Sequence, residues 1–289
     1  MVLFRYGMHF GRYSQVDDGR EVFDRLSEAV QVAEASGFDA ISVPDHVLQN
    51  EMAGGRQCPM FEAYTVLGAL AMRTTKVRLL ALVSPVTLRN PAFLAKAVTT
   101  VDVISGGRAV LGIGAGWDRA EHEAYGYDFP SVGERMDRLD EAVTICKRLF
   151  CERQASFMGA HYTVRDAWNS PRPIAGAIPI LLGGSGERRM LELVARHADA
   201  WNVVDRFDGD AGAVRHKFDI LKRHCDSVGR DPSEISKTVF VTIPDDDRAT
   251  FSGWLRILAK EGTDGVVVIG IYDAKRIEAL GRTLTDVFS

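Results

Sequence analysis

Residues 77–83 read VRLLALV, seven positions with Arg78 as the one polar side chain, and this run decides the fold. A strand with one wet face alternates apolar and polar residues. An unbroken apolar run of this length is a strand covered on both faces, as in a parallel sheet flanked by helices. Residues 265–270, GVVVIG, repeat the pattern near the other end of the chain. Working outward, predicted strands occupy 4–10, 39–43, 77–83, 109–114, 178–182, 200–204, 238–243 and 265–269. Helical periodicity fills 21–36, 61–74, 91–105, 133–150, 187–197, 209–228, 248–261 and 275–288. The clearest helix, 133–150, places Met136, Leu139, Val143, Cys146 and Phe150 on one stripe. Strand then helix, repeated eight times in 289 residues, predicts a single α/β domain of (β/α)8 TIM barrel type over 1–289 rather than an open sheet.

The segment 151–177 breaks the alternation ahead of the fifth strand. Its FMGAHYTV stretch predicts a small hairpin with Gly159 in the turn. Such an insertion is either a lid over the barrel mouth or a surface excursion.

Composition narrows the class. With 46% hydrophobic and 26% charged residues and a net charge of −4, the chain has the balance of a globular protein with one large core. Its basic residues are scattered among acids, which excludes a nucleic-acid binder of the usual basic-faced kind. The start, MVLFRYGMHFGRY, lacks the basic segment and apolar core of a signal peptide, and no run is long and apolar enough to span a membrane. Cys58, Cys146, Cys151 and Cys225 show no paired framework, so reduced thiols and a cytoplasmic location are expected.

In a barrel, ligands bind at the carboxyl ends of the strands, so the residues closing each strand are the candidates. His9 ends the first; Asp45 and His46 end the second; Ser84 follows the third. Gly114-Ala115-Gly116 close the fourth, Gly183-Gly184-Ser185-Gly186 the fifth, and Trp201-Asn202 lie in the sixth. A carboxylate beside an imidazole can orient a ligand and exchange a proton near neutral pH; the plainer account is a capping Asp and a hydrogen-bonded His. LGIGAGW lets the backbone approach a flat ring or phosphate, or is merely a tight turn, since Trp117 stands where a dinucleotide fingerprint has its third glycine. ILLGGSGERR is stronger: a strand runs through small residues into a helix start, whose free N–H groups make an anion site that Ser185, Arg188 and Arg189 would reinforce. His122, between Glu121 and Glu123, reads as a solvated face. There is no GxSxG elbow, Walker loop, HExxH or metal-ligand spacing. A sugar-phosphate aldolase or isomerase would want a Lys at an inner strand end, and none of the eight predicted strands holds one.

The run RNPAFLAKAVTTVDVISGGRAVLGIGAGW (89–117) resembles the signature segment of luciferase-like monooxygenases and their F420-dependent relatives. SVPDH (42–46), ERMDRLDEAV (134–143) and IPILLGGSGERRMLELVARHADAWN (178–202) extend the likeness. The resemblance implies a barrel oxidoreductase that moves a hydride between coenzyme F420 and a small organic substrate, working as a homodimer. The alternatives are an FMN-dependent monooxygenase and a non-catalytic cofactor-binding barrel. It also implies roles. His46 would be the proton donor or acceptor, oriented by Asp45. Ala81-Leu82 would form a non-proline cis peptide backing the ring, with Ser84 beside it. Gly114, Ala115 and Gly116 would lie under the ring, while Gly183, Gly184, Ser185 and Gly186 would hold the phosphate. His9 and Trp117 would face the substrate. The sugar-phosphate dehydrogenase branch carries a catalytic Glu where this chain has Trp117, so that activity is not transferred.

Overall fold

The computed structural model describes residues 2–13, 18–203, 211–242 and 248–288. The predicted strand and helix residues at 204, 209–210 and 243 lie outside them. The chain alternates β1 (Tyr6–His9), α1 (Gly19–Ala35), β2 (Ala40–Val43), α2 (Ala63–Ala71), β3 (Arg78–Ala81), β4 (Ser84–Pro85), α3 (Pro91–Ser105) and β5 (Leu111–Gly114). It continues through α4 (Arg119–Tyr125), α5 (Val132–Cys151), the hairpin β6 (Ala155–Met158) and β7 (Thr163–Ala167), then β8 (Ile180–Gly183), α6 (Arg189–His197) and β9 (Ala200–Val203). The described chain ends with α7 (Ala211–Val228), β10 (Ser236–Val241), α8 (Arg248–Lys260), β11 (Gly265–Ile269) and α9 (Ala274–Phe288).

Nine parallel segments form one sheet in the order β3-β2-β1-β11-β10-β9-β8-β5-β4. β3 and β4 are two halves of one stave, so the nine make eight. The first half pairs with β2 and the second with β5. The circle closes where Leu79 donates its N–H to the Arg108 carbonyl and accepts from the Val110 N–H, both at 3.0 Å. The predicted (β/α)8 barrel is therefore the fold.

Period-two alternation sorts the strand residues. Ala40, Leu80, Val110, Leu181, Ala200 and Val267 pack together in the lumen. Their neighbours Ile41, Leu79, Leu111, Leu182, Trp201 and Val266 face the helices and join the larger core. α3 begins where expected because the Asn90 side chain accepts from the Ala92 and Phe93 N–H groups and Pro91 takes the first helical position.

Three expectations are corrected. The non-proline cis peptide lies at Leu82–Val83, not Ala81–Leu82. Regular pairing runs one residue further than the resemblance implied, with Ala81 opposite Val43 and the Leu82 N–H bonded to the Val43 carbonyl at 2.9 Å. The break consequently follows Leu82 and turns Val83 toward the neighbouring strands. A Cβ on Gly114 would meet Val83 Cγ2 at 2.7 Å, and one on Gly183 would meet Val83 Cγ1 at 2.8 Å. These glycines make room for a valine rather than for a ligand ring alone. Secondly, α4 was unforeseen, and it turns Glu121 and His122 inward, at 2% and 0% exposure. His122 is no solvated face: its nitrogens bond the Asp118 carbonyl at 2.6 Å and Thr87 Oγ1 at 2.7 Å. Thirdly, Lys237 does fall within a strand, β10, but its ammonium pairs with Asp264 at 3.1 Å.

The hairpin forms with Gly159 in its turn, the Gly159 N–H donating to the Tyr162 carbonyl at 2.9 Å. Glu141 of α5 receives the N–H groups of Ala160, His161 and Tyr162, and the Tyr162 hydroxyl reaches the Val86 carbonyl at 3.1 Å.

The Val83 contacts make a testable coupling. Gly114→Ala should destabilise the barrel by about 1–3 kcal/mol through overpacking. In a urea-melt double-mutant cycle the penalty should shrink by about 1 kcal/mol or more when Val83 is Ala. Gly112→Ala is the control: its Cβ would run into the Ala81 carbonyl oxygen. Trimming Val83 should not relieve it, and equal relief at both glycines would refute this account.

Candidate functional site

His46 leaves the end of β2 with its Nδ1 bonded to Glu121 Oε1 at 2.8 Å. The second carboxylate oxygen accepts from the Val47 N–H at 3.1 Å, so one side chain of α4 clamps both the ring and the backbone that follows it. Glu121 is in turn set by Asp118, whose side chain caps α4 by accepting from the Ala120 and Glu121 N–H groups. With Nδ1–H given to the carboxylate, Nε2 is the atom left to take or give a proton, and it bonds nothing else among the described residues.

Asp45 does not orient His46, as was expected. Its two oxygens receive Nε and Nη2 of Arg89, each at 2.6 Å. Arg89 also reaches Glu62 and lies over the Tyr64 ring at 4.8 Å. Burial alone would lower the Arg89 pKa, yet the bonds to Asp45 and Glu62 hold it above the ordinary value. Ser84 is wholly buried, its hydroxyl 2.7 Å from that of Tyr64. Asp45 and Ser84 thus belong to an ion-pair network that ties the loops after β2 and β3 together.

His9, at the end of β1, has Nδ1 3.0 Å from Ser42 Oγ and its ring edge-on to Phe240 at 5.4 Å. Burial, with repulsion from His46, pushes its pKa down to about 3. It is a neutral imidazole at any ordinary pH, a hydrogen-bonding group rather than an acid. Trp117 follows Gly114-Ala115-Gly116 and stands edge-on to the His46 ring at 5.4 Å.

The loop after β8 leaves several backbone donors uncommitted. Among the described residues, the N–H groups of Ser185, Gly186 and Glu187 meet no acceptor. Gly184 takes φ +141, where a side chain would be strained and would press on Met190 at 3.0 Å. α6 starts at Arg189, slightly later than expected. Arg189 is turned away toward Asp137 and the Gly133 carbonyl. A cation that the sequence reading missed, Lys217 of α7, approaches instead, with Nζ 3.0 Å from the Ser185 carbonyl and 2.7 Å from Glu187. Glu121 and Arg89 were missed as well, although Arg89 opens the quoted run 89–117 and Glu121 lies four residues past its end. The signal lay in Asp118, an N-cap residue whose helix would carry Glu121 back toward the mouth.

A closed α/β barrel whose strand ends carry an imidazole–carboxylate dyad and a glycine-rich loop with uncommitted N–H groups is the class of protein that the fold and site define. Comparison with known proteins narrows it: the luciferase-like monooxygenase profile matches residues 4–251, and the chain belongs to that family. An uncharacterised protein of Mycobacterium tuberculosis is 28% identical over 191 residues, covering 62% of this chain and 67% of that one. The F420-dependent glucose-6-phosphate dehydrogenase of Intrasporangium calvum is 36% identical over 182 residues, 62% of this chain and 51% of the relative. That of Kineococcus radiotolerans is 30% identical over 224 residues, 77% and 64%. The chain therefore spans about half to two thirds of these relatives. Among solved structures, the coenzyme F420 dependent tetrahydromethanopterin reductase of Methanopyrus kandleri superposes with a TM-score of 0.80 at 18% identity over 99% of both chains. A long-chain alkane monooxygenase gives 0.81 at 13%, over 98% of this chain and 90% of that one. At such identities the likeness is one of fold.

Two outcomes follow from the site's charges. Arg89→Leu leaves the buried Asp45 carboxylate unpaired and should cost about 3 kcal/mol in a denaturant melt, with partial recovery in the Arg89→Leu/Asp45→Asn double variant. A loss below ~0.5 kcal/mol would mean the network is not needed for stability. His9 gives a pH signature. Its folded pKa lies below the unfolded ~6.5, so between pH 6.5 and about 3 the unfolded chain binds a proton that the folded chain refuses. Stability falls as pH drops through that window, and His9→Gln should flatten the fall in urea midpoints between pH 7 and 4.

Proposed function

We propose that this chain is an F420-dependent oxidoreductase that transfers a hydride between the deazaflavin and a small organic substrate. The observation that carries the reading is the His46–Glu121 dyad, a proton-transfer pair on the same barrel mouth as the loop 183–186. The residues present fit the group. N–H donors that meet no acceptor among the described residues and the Ser185 hydroxyl suit a phosphate, and the cradle at Gly184 is one that a Cβ would fill. Support for the deazaflavin over FMN comes from relatives of 30–36% identity whose names carry that coenzyme.

When bound, the deazaflavin supplies hydride chemistry at its C5. The chain's own residues do the rest. Gly183, Gly184, Ser185 and Gly186 anchor the phosphate, and Val83, wedged between Gly114 and Gly183, lends an apolar surface at the mouth. Glu121 fixes the His46 tautomer, so that Nε2 holds a proton for the substrate oxygen or takes one from it. Asp45 contributes by holding Arg89, and through it the loop geometry, not by touching His46.

Fluorescence titration with F420 and with FMN tests the cofactor, and micromolar FMN binding with no F420 binding would overturn it. His46→Asn should leave F420 affinity nearly unchanged and lower turnover by about a hundredfold or more, the usual range of general acid–base help. Glu121→Gln should lower turnover by about tenfold with the same unchanged binding. An Asn variant that turns over normally but loses the cofactor makes His46 a binding residue.

A further inference from the structure

Trp117 stands at the mouth 57% exposed, an uncommon place for so large an apolar side chain. It is not loosely hung. On one side Gly116 takes φ +78, and a Cβ there would meet Thr87 Oγ1 at 2.7 Å and Pro85 Cβ at 3.2 Å. On the other side Asp118 caps α4. The backbone is fixed at both flanks, and the indole is held 77° to the His46 ring with centroids 5.4 Å apart. That ring is itself clamped through Nδ1. A rigid apolar wall therefore borders the imidazole whose Nε2 is free to move a proton.

We propose that Trp117 sets the substrate class, a planar uncharged ketone with an apolar or aromatic body that covers the exposed indole while its oxygen reaches His46 Nε2. This rests on the hydride-transfer reading above. In reduction, the carbonyl carbon gains a hydride from the reduced deazaflavin and the oxygen gains a proton from Nε2, leaving the alcohol and the oxidised coenzyme. The exposed indole offers no partner to a charged phosphate, so a wall of this kind favours an uncharged ligand. Arg89, in the same quarter, supplies no phosphate site, because Asp45 and Glu62 already occupy its guanidinium.

The test compares the wild type with Trp117→Phe and Trp117→Ala. F420 affinity, read by coenzyme fluorescence, should agree within about twofold across the three. Acetophenone binding to the F420-loaded protein, read by equilibrium dialysis, should weaken about tenfold or more in the Ala variant and about threefold or less in the Phe variant, following the apolar area removed. KM for acetophenone reduction should move in parallel. Absent acetophenone binding to the wild type, equal binding to all three proteins, or wild-type turnover of glucose 6-phosphate above that of the ketone overturns the proposal. Failure of F420 to bind the wild type sinks the hydride reading instead. Dialysis of acetophenone without coenzyme then still compares the three side chains, and equal binding there overturns the wall as well.

Discussion

The third stave of the barrel parts from β2 halfway while keeping its neighbour on the other side, and most of the site follows from that constraint. β3 pairs with β2 and, through Leu79, with residues 108–110 ahead of β5, whereas β4 pairs with β5, and Leu82 and Val83 lie between the two halves. The two staves approach so closely that Gly112 has no room for a side chain beside the Ala81 carbonyl. Once past the break, the chain delivers Ser84, Thr87 and Arg89 in quick succession to the mouth. Thr87 bonds His122 and so helps fix α4 across the opening. α4 in turn brings Glu121 to His46. Arg89 runs the other way, to Asp45 and Glu62. A regular third strand would carry none of these side chains to where they are.

Two polar systems result, and they are separate. The network of Asp45, Arg89, Glu62, Tyr64 and Ser84 is closed on itself: the one guanidinium of Arg89 serves both carboxylates, and the Tyr64 and Ser84 hydroxyls bond each other. Buried ion pairs of this sort add little net stability over an apolar filling, but they impose one arrangement, because any displacement strands a charge. The His46–Glu121 pair is open, with one imidazole nitrogen uncommitted. Arg89 holds Asp45, and Glu121 is the acidic partner of His46, so the carboxylate bonded to the imidazole is the one distant in sequence.

The staves and the large helices were legible because each is set by local rules. Asn90-Pro91 at the start and Gly106 after the end bound α3 at 91–105, as read from the sequence. The stripe on α5 likewise gave its span to within a residue at each end. Short-range reading failed where tertiary partners reverse the meaning of a polar residue. The charged DRAEHE stretch looked solvated, since nothing nearby in sequence says that His46, Val47 and Thr87 wait to receive Glu121 and His122. Asp45 sat next to His46 in the chain, and adjacency suggested a pair, yet the Arg89 that claims it is 44 residues away. The bulge was displaced by one position for a similar reason: its place depends on how far β3 stays in register with β2.

The loop after β8 takes its shape from residues outside it. The Trp201 indole N–H donates to the Gly184 carbonyl at 2.8 Å, and the Gly184 N–H donates to the Asn202 carbonyl at 3.2 Å, so both sides of one glycine are pinned to β9. β9 is itself locked to its other neighbour. The Thr238 hydroxyl gives its one proton to the Trp201 carbonyl, so it can only accept from Asn202, which turns the amide nitrogen toward β10. Lys217, from α7, holds the next carbonyl of the loop. The backbone leading to the N–H groups of Ser185, Gly186 and Glu187 is thereby held in place by its neighbours. Ordering cost is removed from binding, and an anion meeting that loop gains from donors that need not rearrange.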